Sequence, residues 1–227
     1  MNFQQKYNKA CKIYENSLFY KRKFTQIKHL NIAKSLIEEC ITENSKDYNC
    51  WYVLGLIWYW FPQDYKDRNK NCEKSLKRAI EIRPDYNWSI MYLGHLYFDE
   101  KKYKKALKLF EKLNHKYFVE LDLYWRVIKY QELILCCKFY LNFEEVDFVE
   151  IDEYAKTCEI SFESKEYECI FPVELVRCLV ELSEKQNTSK SKLKAIILRF
   201  KEMLDKTDND DIFTDDFRKI ENNLLKT

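Results

Sequence analysis

The side chains best suited to metal binding or covalent catalysis are scattered along this 227-residue chain. Its three histidines, His29, His95 and His115, have no cysteine or carboxylate at the spacing that metal ligands require. A nucleophilic cysteine needs a histidine and an Asn or Asp gathered around it, and no pattern favours Cys136 or Cys169 for that role. We therefore predict no catalytic residue, no metal site and no cofactor, and we interpret the cysteines as small buried side chains.

One acidic segment partly resembles a calcium-binding loop, "DKTDNDDIFTDD" at Asp205–Asp216. Thr207 stands where such a loop favours a carboxylate or amide, and Asp210 replaces the glycine of its sharp turn. The chain has only two glycines, so it cannot build a glycine-rich phosphate loop either. We interpret the segment as a solvated loop that caps a helix.

The cysteine count and the N-terminal sequence bear on the compartment. There are nine cysteines, an odd number, without C-x-x-C pairs, and "MNFQQKYNKACKIYENS" contains no apolar stretch of signal-peptide length. We expect free thiols and a cytoplasmic location.

Charge and hydropathy argue against two classes of partner. Lys and Arg total 39 against 37 Asp and Glu, and the densest basic run, Lys101–Lys108, has the spacing of the wet face of an amphipathic helix. The longest apolar run, Trp51–Phe61, has eleven residues, whereas a membrane span needs about 18. We predict neither nucleic acid nor membrane as a partner.

The elements that must position any site are helices, because two glycines and three prolines cannot supply the turns of a β-fold. A pattern of large-x2-Leu-Gly-x2-aromatic occurs twice, at Trp51–Trp58 and at Ile90–Tyr97, and accounts for both glycines. Each copy is followed by a second helical stripe, at Cys72–Ala79 and at Ala106–Leu113. The small residues recur where two helix backbones would approach closely.

These residues resemble the tetratricopeptide repeat family, whose 34-residue unit is a helix–turn–helix. Ile90–Leu113 is a close match, whereas the preceding unit carries five extra residues within Trp60–Cys72. The resemblance is clear over Leu30–Leu113, fades over Leu121–Leu141 and is not detectable after Phe143. It implies an all-α solenoid of about three repeats with a divergent helical C-terminal part.

This reading divides the chain into two parts. Residues 1–142 form the repeat region with a leading helix, and residues 143–227 form a divergent helical capping region. In the second part, Pro172 suits the first residue of a helix. The preceding helix would turn five residues inward: Ile151, Tyr154, Ala155, Cys158 and Phe162.

The resemblance also implies a candidate site, because the first helices of successive repeats line the concave side of such solenoids. Trp51, Leu54 and Trp58 are expected in the core, and the other face of each first helix is unusually apolar. The partner-binding residues predicted on this groove are Tyr52, Leu56, Tyr59, Trp88, Met91, His95, Phe98 and Trp125. The alternative is that the protein's own helices cover the groove.

The sequence favours a non-catalytic adaptor that binds a protein or peptide on this aromatic groove; it leaves the oligomeric state open. Two other functions stay open. One is a dedicated inhibitor, such as an immunity protein against a bacterial toxin, and the other is an enzyme with its site in the C-terminal helices.

Overall fold

A computed structural model of the chain describes residues 1–142, 147–164, 172–185, 195–200 and 202. These residues form helices, and no strand occurs among them, as predicted. The helices are α1 (Phe3–Ser17), α2 (Lys23–Glu43), α3 (Tyr48–Trp60), α4 (Arg68–Ile82), α5 (Asn87–Asp99), α6 (Tyr103–Phe110), α7 (His115–Glu120), α8 (Tyr124–Leu141), α9 (Phe148–Ser164) and α10 (Val173–Lys185). The chain folds into two compact units, an N-terminal unit, Met1–Leu113, and a C-terminal unit that starts at Asn114. The sequence-based division at 142/143 stays a prediction.

The N-terminal unit consists of three consecutive helix pairs, α1/α2, α3/α4 and α5/α6. Neighbouring pairs pack through α2 against α3 and through α4 against α5. The first helices also touch, α1 with α3 and α3 with α5. Each pair therefore buries its apolar stripe against the next pair, which is the arrangement of an all-α helical repeat solenoid.

Both glycines lie where the two helices of a pair meet. A Cβ atom on Gly55 would be 2.6 Å from Cδ2 of Leu76 on α4, and one on Gly94 would be 2.5 Å from Cε1 of Phe110 on α6. Either distance is shorter than van der Waals contact allows. The repeated glycine is thus explained by the close approach of paired helices.

Two helix starts in this unit, those of α1 and α3, are capped by side chains close in sequence. Asn2 accepts a hydrogen bond from the backbone N–H of Gln5 at 2.9 Å and forms a capping box with it. Asp47 accepts from the N–H of Asn49 at 2.8 Å at the start of α3. Such caps satisfy N–H groups that have no partner inside the helix.

The predicted core residues are largely where expected. Leu54 and Trp58 are buried, and the lysines of the Lys101–Lys108 run lie exposed while Ala106 faces inward. Trp51 is half-buried, and its indole N–H donates to the carbonyl of Ser45 at 2.9 Å. Trp51 therefore lies at the edge of the core.

In the C-terminal unit, α9 buries Ile151, Tyr154, Ala155 and Cys158, as predicted. The side chain of Phe162 lies outside the described part of the chain. Pro172 immediately precedes α10, which starts one residue later, at Val173.

A buried carboxylate joins two helices of this unit. Glu132 on α8 is fully buried, and its Oε1 accepts hydrogen bonds from the N–H groups of Glu174 (2.7 Å) and Leu175 (3.0 Å). Its Oε2 pairs with the ammonium of Lys129 at 2.8 Å. Glu132 thus caps the N-terminus of α10. Burial raises the pKa of its carboxyl group, although Lys129 and the two N–H groups oppose that shift.

Eight cysteines have free thiols in the structure, whereas Cys169 lies outside the described residues, as does the calcium-like segment 205–216. The described ranges contain no group of three or more metal-ligating side chains. Among the helices given above, none is both long enough and apolar enough to cross a membrane.

Candidate interaction face

In the N-terminal unit, α1 lies next to α3, and α3 lies next to α5. We call the side that these three helices form the first-helix face. On α3, Tyr52 and Tyr59 are half-buried at this face, whereas Leu56 is only 6% exposed. On α5, Met91 is 1% exposed. Leu56 and Met91 therefore belong to the interior of the unit, and a partner at this face would meet the side chains around them.

The other candidates on α5, Trp88, His95 and Phe98, are half-buried. The ring of His95 lies 5.6 Å from Phe110, and the ring of Phe98 lies 5.6 Å from Tyr103. Both rings thus pack towards α6.

The last candidate, Trp125, is half-buried on α8 of the C-terminal unit. The guanidinium of Arg126 lies 4.1 Å from the centre of its ring, in cation–π geometry.

Five half-buried tyrosines run in a continuous row between α3 and α5, and we call this row the tyrosine ladder. In order along the row they are Tyr48, Tyr86, Tyr52, Tyr92 and Tyr59, with successive ring centroids 4.8, 5.2, 6.1 and 5.7 Å apart. Three of the four contacts are edge-to-face, an arrangement that the aromatic quadrupole favours. The ladder therefore joins two successive repeats through side chains that still reach solvent.

A cation stands at one end of the ladder. The guanidinium of Arg83 lies 4.9 Å from the ring centre of Tyr48 and 5.6 Å from that of Tyr86. It also donates a hydrogen bond to the hydroxyl of Tyr48. The Arg83 side chain is 45% exposed and pairs with the carboxylate of Asp85 at 3.3 Å, so a cation partly balanced by Asp85 marks this end of the ladder at the surface.

A carboxylate stands at the other end. The hydroxyl of Tyr59 donates to Oδ2 of exposed Asp99 at 2.8 Å. Burial and the nearby Asp99 charge raise the pKa of Tyr59, so the phenol stays protonated and keeps donating. The buried guanidinium of Arg68 lies 5.1 Å from the Tyr59 ring centre and donates to the carbonyl of Phe61 at 2.8 Å. The hydrogen bond to Asp99 and the contact with the Arg68 guanidinium hold the Tyr59 side chain in place.

The leading helix contributes Tyr14 to the same region. Tyr14 is 7% exposed, and burial raises its pKa; nearby Tyr92 on α5 raises the pKa further, and a hydrogen bond with Trp60 at the end of α3 lowers it. The first-helix face is thus lined by aromatic side chains from all three first helices.

The first-helix face is where the sequence predicted partner-binding residues, and the contacts across it include residues that were not predicted. Trp88, Met91, His95 and Phe98 were predicted on this groove with Tyr52, and the rings that Tyr52 contacts include those of Tyr86 and Tyr92. Adjacent helical residues point about 100° apart, so choosing Met91 rather than Tyr92 rotates the predicted stripe by that angle. The recurrence of Tyr at 48, 52 and 59 and at 86 and 92 was the available signal.

The C-terminal unit contains a cavity of about 330 Å³ between α7, α8 and α9. It is lined by His115, Gln131, Ile134, Leu135, Glu150, Glu153, Tyr154 and Thr157. His115 is an exposed residue, and partial burial of its ring lowers its pKa. Glu150 is paired with Lys138, and the hydroxyl of Tyr154 donates to the carbonyl of Ile128 at 3.3 Å. Two of the polar groups therefore already hold helices together, which weakens the enzyme alternative.

The helix pairs, their glycine contacts and the first-helix face fit tetratricopeptide-like repeats. No family model matches this chain. "Anaphase-promoting complex subunit 3" of Schizosaccharomyces pombe is 31% identical over 80 residues, which is 35% of this chain. The chain spans 11% of that relative's length, so the likeness concerns a short stretch of a much longer protein.

Proposed function

We propose that this chain is a non-catalytic protein-interaction module that binds a segment of another protein along the tyrosine ladder. The observation that carries the proposal is the row of five contacting, half-buried tyrosines across two successive first helices. Tyrosine combines a large rigid apolar surface with a polar tip and is enriched among residues that dominate binding energy.

The chemistry of the ladder suggests what the partner segment carries. Its middle offers aromatic surface, with Arg83 at one end and Asp99 at the other. A segment with apolar side chains between an acidic and a basic end would match this order, and the charges would fix its direction. Trp88, His95 and Phe98 are proposed to extend the contact, while Leu56 and Met91 support it from beneath.

Two further observations agree with such a role. The name of the partial relative describes a subunit of a complex, which is a protein that assembles with others. The eight free thiols fit a reducing compartment, and we propose the cytoplasm.

The test compares the proteins captured by the wild-type chain and by Tyr52→Ala/Tyr92→Ala. Each truncation should cost about 2 kcal/mol or more of binding energy, so a specific partner should be lost from the double variant. Tyr65→Ala is the matched control, because Tyr65 is also half-buried but stacks on Phe61 away from the ladder. It should retain the partner.

A second variant guards against loss of folding. Arg83→Gln removes the charge of an exposed side chain at the ladder's end, so it should lower the melting temperature only slightly, through the lost contacts with Tyr48 and Asp85, and still weaken binding. If both ladder variants capture the same proteins as wild type and Tyr65→Ala, the ladder is structural and the proposal is wrong.

A further inference from the structure

The connection between α1 and α2, together with the first turn of α2, exposes two phenylalanines beside a cluster of cations. We call its sequence "FYKRKF", Phe19–Phe24, the basic aromatic loop. Phe19 is 84% exposed and Phe24 is 81% exposed. Lys21, Arg22 and Lys23 between them are also exposed. Phenylalanine has no polar group at its tip. Exposing two of its rings to water at the end of a helix pair is therefore unfavourable in free energy unless a binding partner covers them.

The charged side chains of the sequence around this loop are positive. Residues 16–37 contain five Lys and Arg and no Asp or Glu, although the whole chain has a net charge of only +2. One acid reaches the loop from elsewhere, because Asp64 pairs with the ammonium of Lys23 at 2.9 Å. Lys21, Arg22 and Lys28 add to a positive field that remains at the surface.

The same ion pair shows which elements share this edge of the N-terminal unit. Asp64 lies in the connection between α3 and α4, so the pair brings that connection beside the basic aromatic loop. Trp60, the last residue of α3, is 40% exposed. A third large aromatic side chain therefore lies at the edge where two helix pairs turn.

We propose that this edge docks the protein onto an anionic bilayer surface. The phenylalanines enter the boundary between headgroups and acyl chains, Trp60 lies at the interface, and the cations contact the negative headgroups. A plane of lipid suits side chains that project from a helix turn, whereas a single nucleic-acid strand or an acidic peptide would cover only one side of each ring. This contact is peripheral. It differs from a membrane span and from the sequence-based expectation of no membrane partner.

The experiment measures co-sedimentation of the full chain with vesicles of phosphatidylcholine alone or with about 30 mol% phosphatidylserine. The wild-type chain should bind the anionic vesicles and lose them as salt is raised. Lys21→Ala/Arg22→Ala should weaken binding about 30-fold, since each cation near an anionic surface contributes about fivefold. Phe19→Ser/Phe24→Ser should weaken it by about tenfold or more, because the rings no longer enter the bilayer.

The matched control is Lys104→Ala/Lys108→Ala, which removes two exposed cations from α6 and should bind as wild type does. All variants change exposed side chains, so circular dichroism melting curves should coincide. The proposal is overturned if the wild-type chain does not bind anionic vesicles, or if the phenylalanine variant binds them equally well. It is also overturned if single-stranded RNA or polyglutamate displaces the vesicles and binds more tightly through the same loop.

Discussion

Both units contain helices that are capped by a side chain close in sequence, and the C-terminal unit also contains one that is capped from far away. In the N-terminal unit, Asp47 caps the helix that begins at the next residue, and in the C-terminal unit Asn114 and Asp147 do the same for α7 and α9. In contrast, α10 begins against the carboxylate of Glu132, which lies 42 residues before Glu174 in sequence. A local cap forms with the helix itself, whereas the distant one requires α8 and α10 to be packed together first.

The comparison also concerns charge. Asp47 lies partly exposed, but Glu132 is fully buried with its charge shared between Lys129 and two backbone N–H groups. Such an arrangement specifies one docking geometry and makes the C-terminal unit sensitive to loss of a single group.

The largest expected effect is that of Glu132→Ala. It leaves Lys129 and the N-terminus of α10 without their acceptor, which should cost about 3–5 kcal/mol of unfolding free energy in urea titrations. Glu132→Gln keeps an oxygen for the two N–H groups and should cost less, about 1–3 kcal/mol. If Glu132→Ala costs under about 1 kcal/mol, the distant cap does not hold this unit together.

The next effect concerns the N-terminal unit, where Gly94→Ala should cost about 1–3 kcal/mol because its Cβ would overlap Phe110. Gly94→Leu should cost more. Phe110→Leu combined with Gly94→Ala should recover part of the loss, and a double-mutant cycle measures that coupling. Strictly additive costs, or an unchanged melting temperature for Gly94→Ala, would contradict the close helix contact.

A pH dependence should separate wild type from Glu132→Gln. Because the folded pKa of Glu132 is raised above 4.5, the folded state binds this proton more tightly than the unfolded chain does. Above the folded pKa, Glu132 is charged in the folded and the unfolded state, and burying that charge lowers the unfolding free energy by its full amount. As the pH falls from the folded pKa towards 4.5, Glu132 takes up a proton in the folded state and this cost disappears. As the pH is lowered through that range, the wild-type unfolding free energy should therefore rise relative to that of Glu132→Gln. The rise should be about 1.4 kcal/mol for each unit by which the folded pKa exceeds the unfolded pKa. A constant difference between the two proteins would show that Glu132 does not titrate differently on folding.

The smallest effect tests a feature that both units share. Lys101 after α5 and Asp122 after α7 have φ near 58°, and each ends its helix with the paired backbone hydrogen bonds of a Schellman motif. Since glycine adopts this conformation without strain, Lys101→Gly and Asp122→Gly should each stabilise by about 0.5–1 kcal/mol in thermal melts.

Lys102→Gly serves as the control, because Lys102 has φ of −86° and gains nothing from glycine. Equal gains at Lys101 and Asp122 would mean that this type of helix end carries the same strain in both units. If Lys102→Gly stabilises as much, backbone strain is not the cause.

The sequence by itself determined the helical class and the repeat. Gly55 and Gly94 recur in one frame because only a residue without a side chain fits between paired helices, and this requirement shows as spacing alone. The apolar stripe predicted which face of α9 is buried, since helical periodicity is a local property, whereas on α3 it placed Leu56 on the groove although this side chain is buried.

Only the tertiary structure decided which residues meet across that repeat. Tyr92, which was not predicted on the groove, contacts Tyr52, whereas predicted Met91 is 1% exposed, because a rotation of one helix by a single residue changes which side chains face the groove without changing the hydrophobic pattern. Glu132 reads in the sequence as one more charge on a helix, and its role as a cap exists only once α10 is packed beside it. Contacts between distant segments depend on how whole helices are placed, and the spacing of residues along one helix carries no information about that placement.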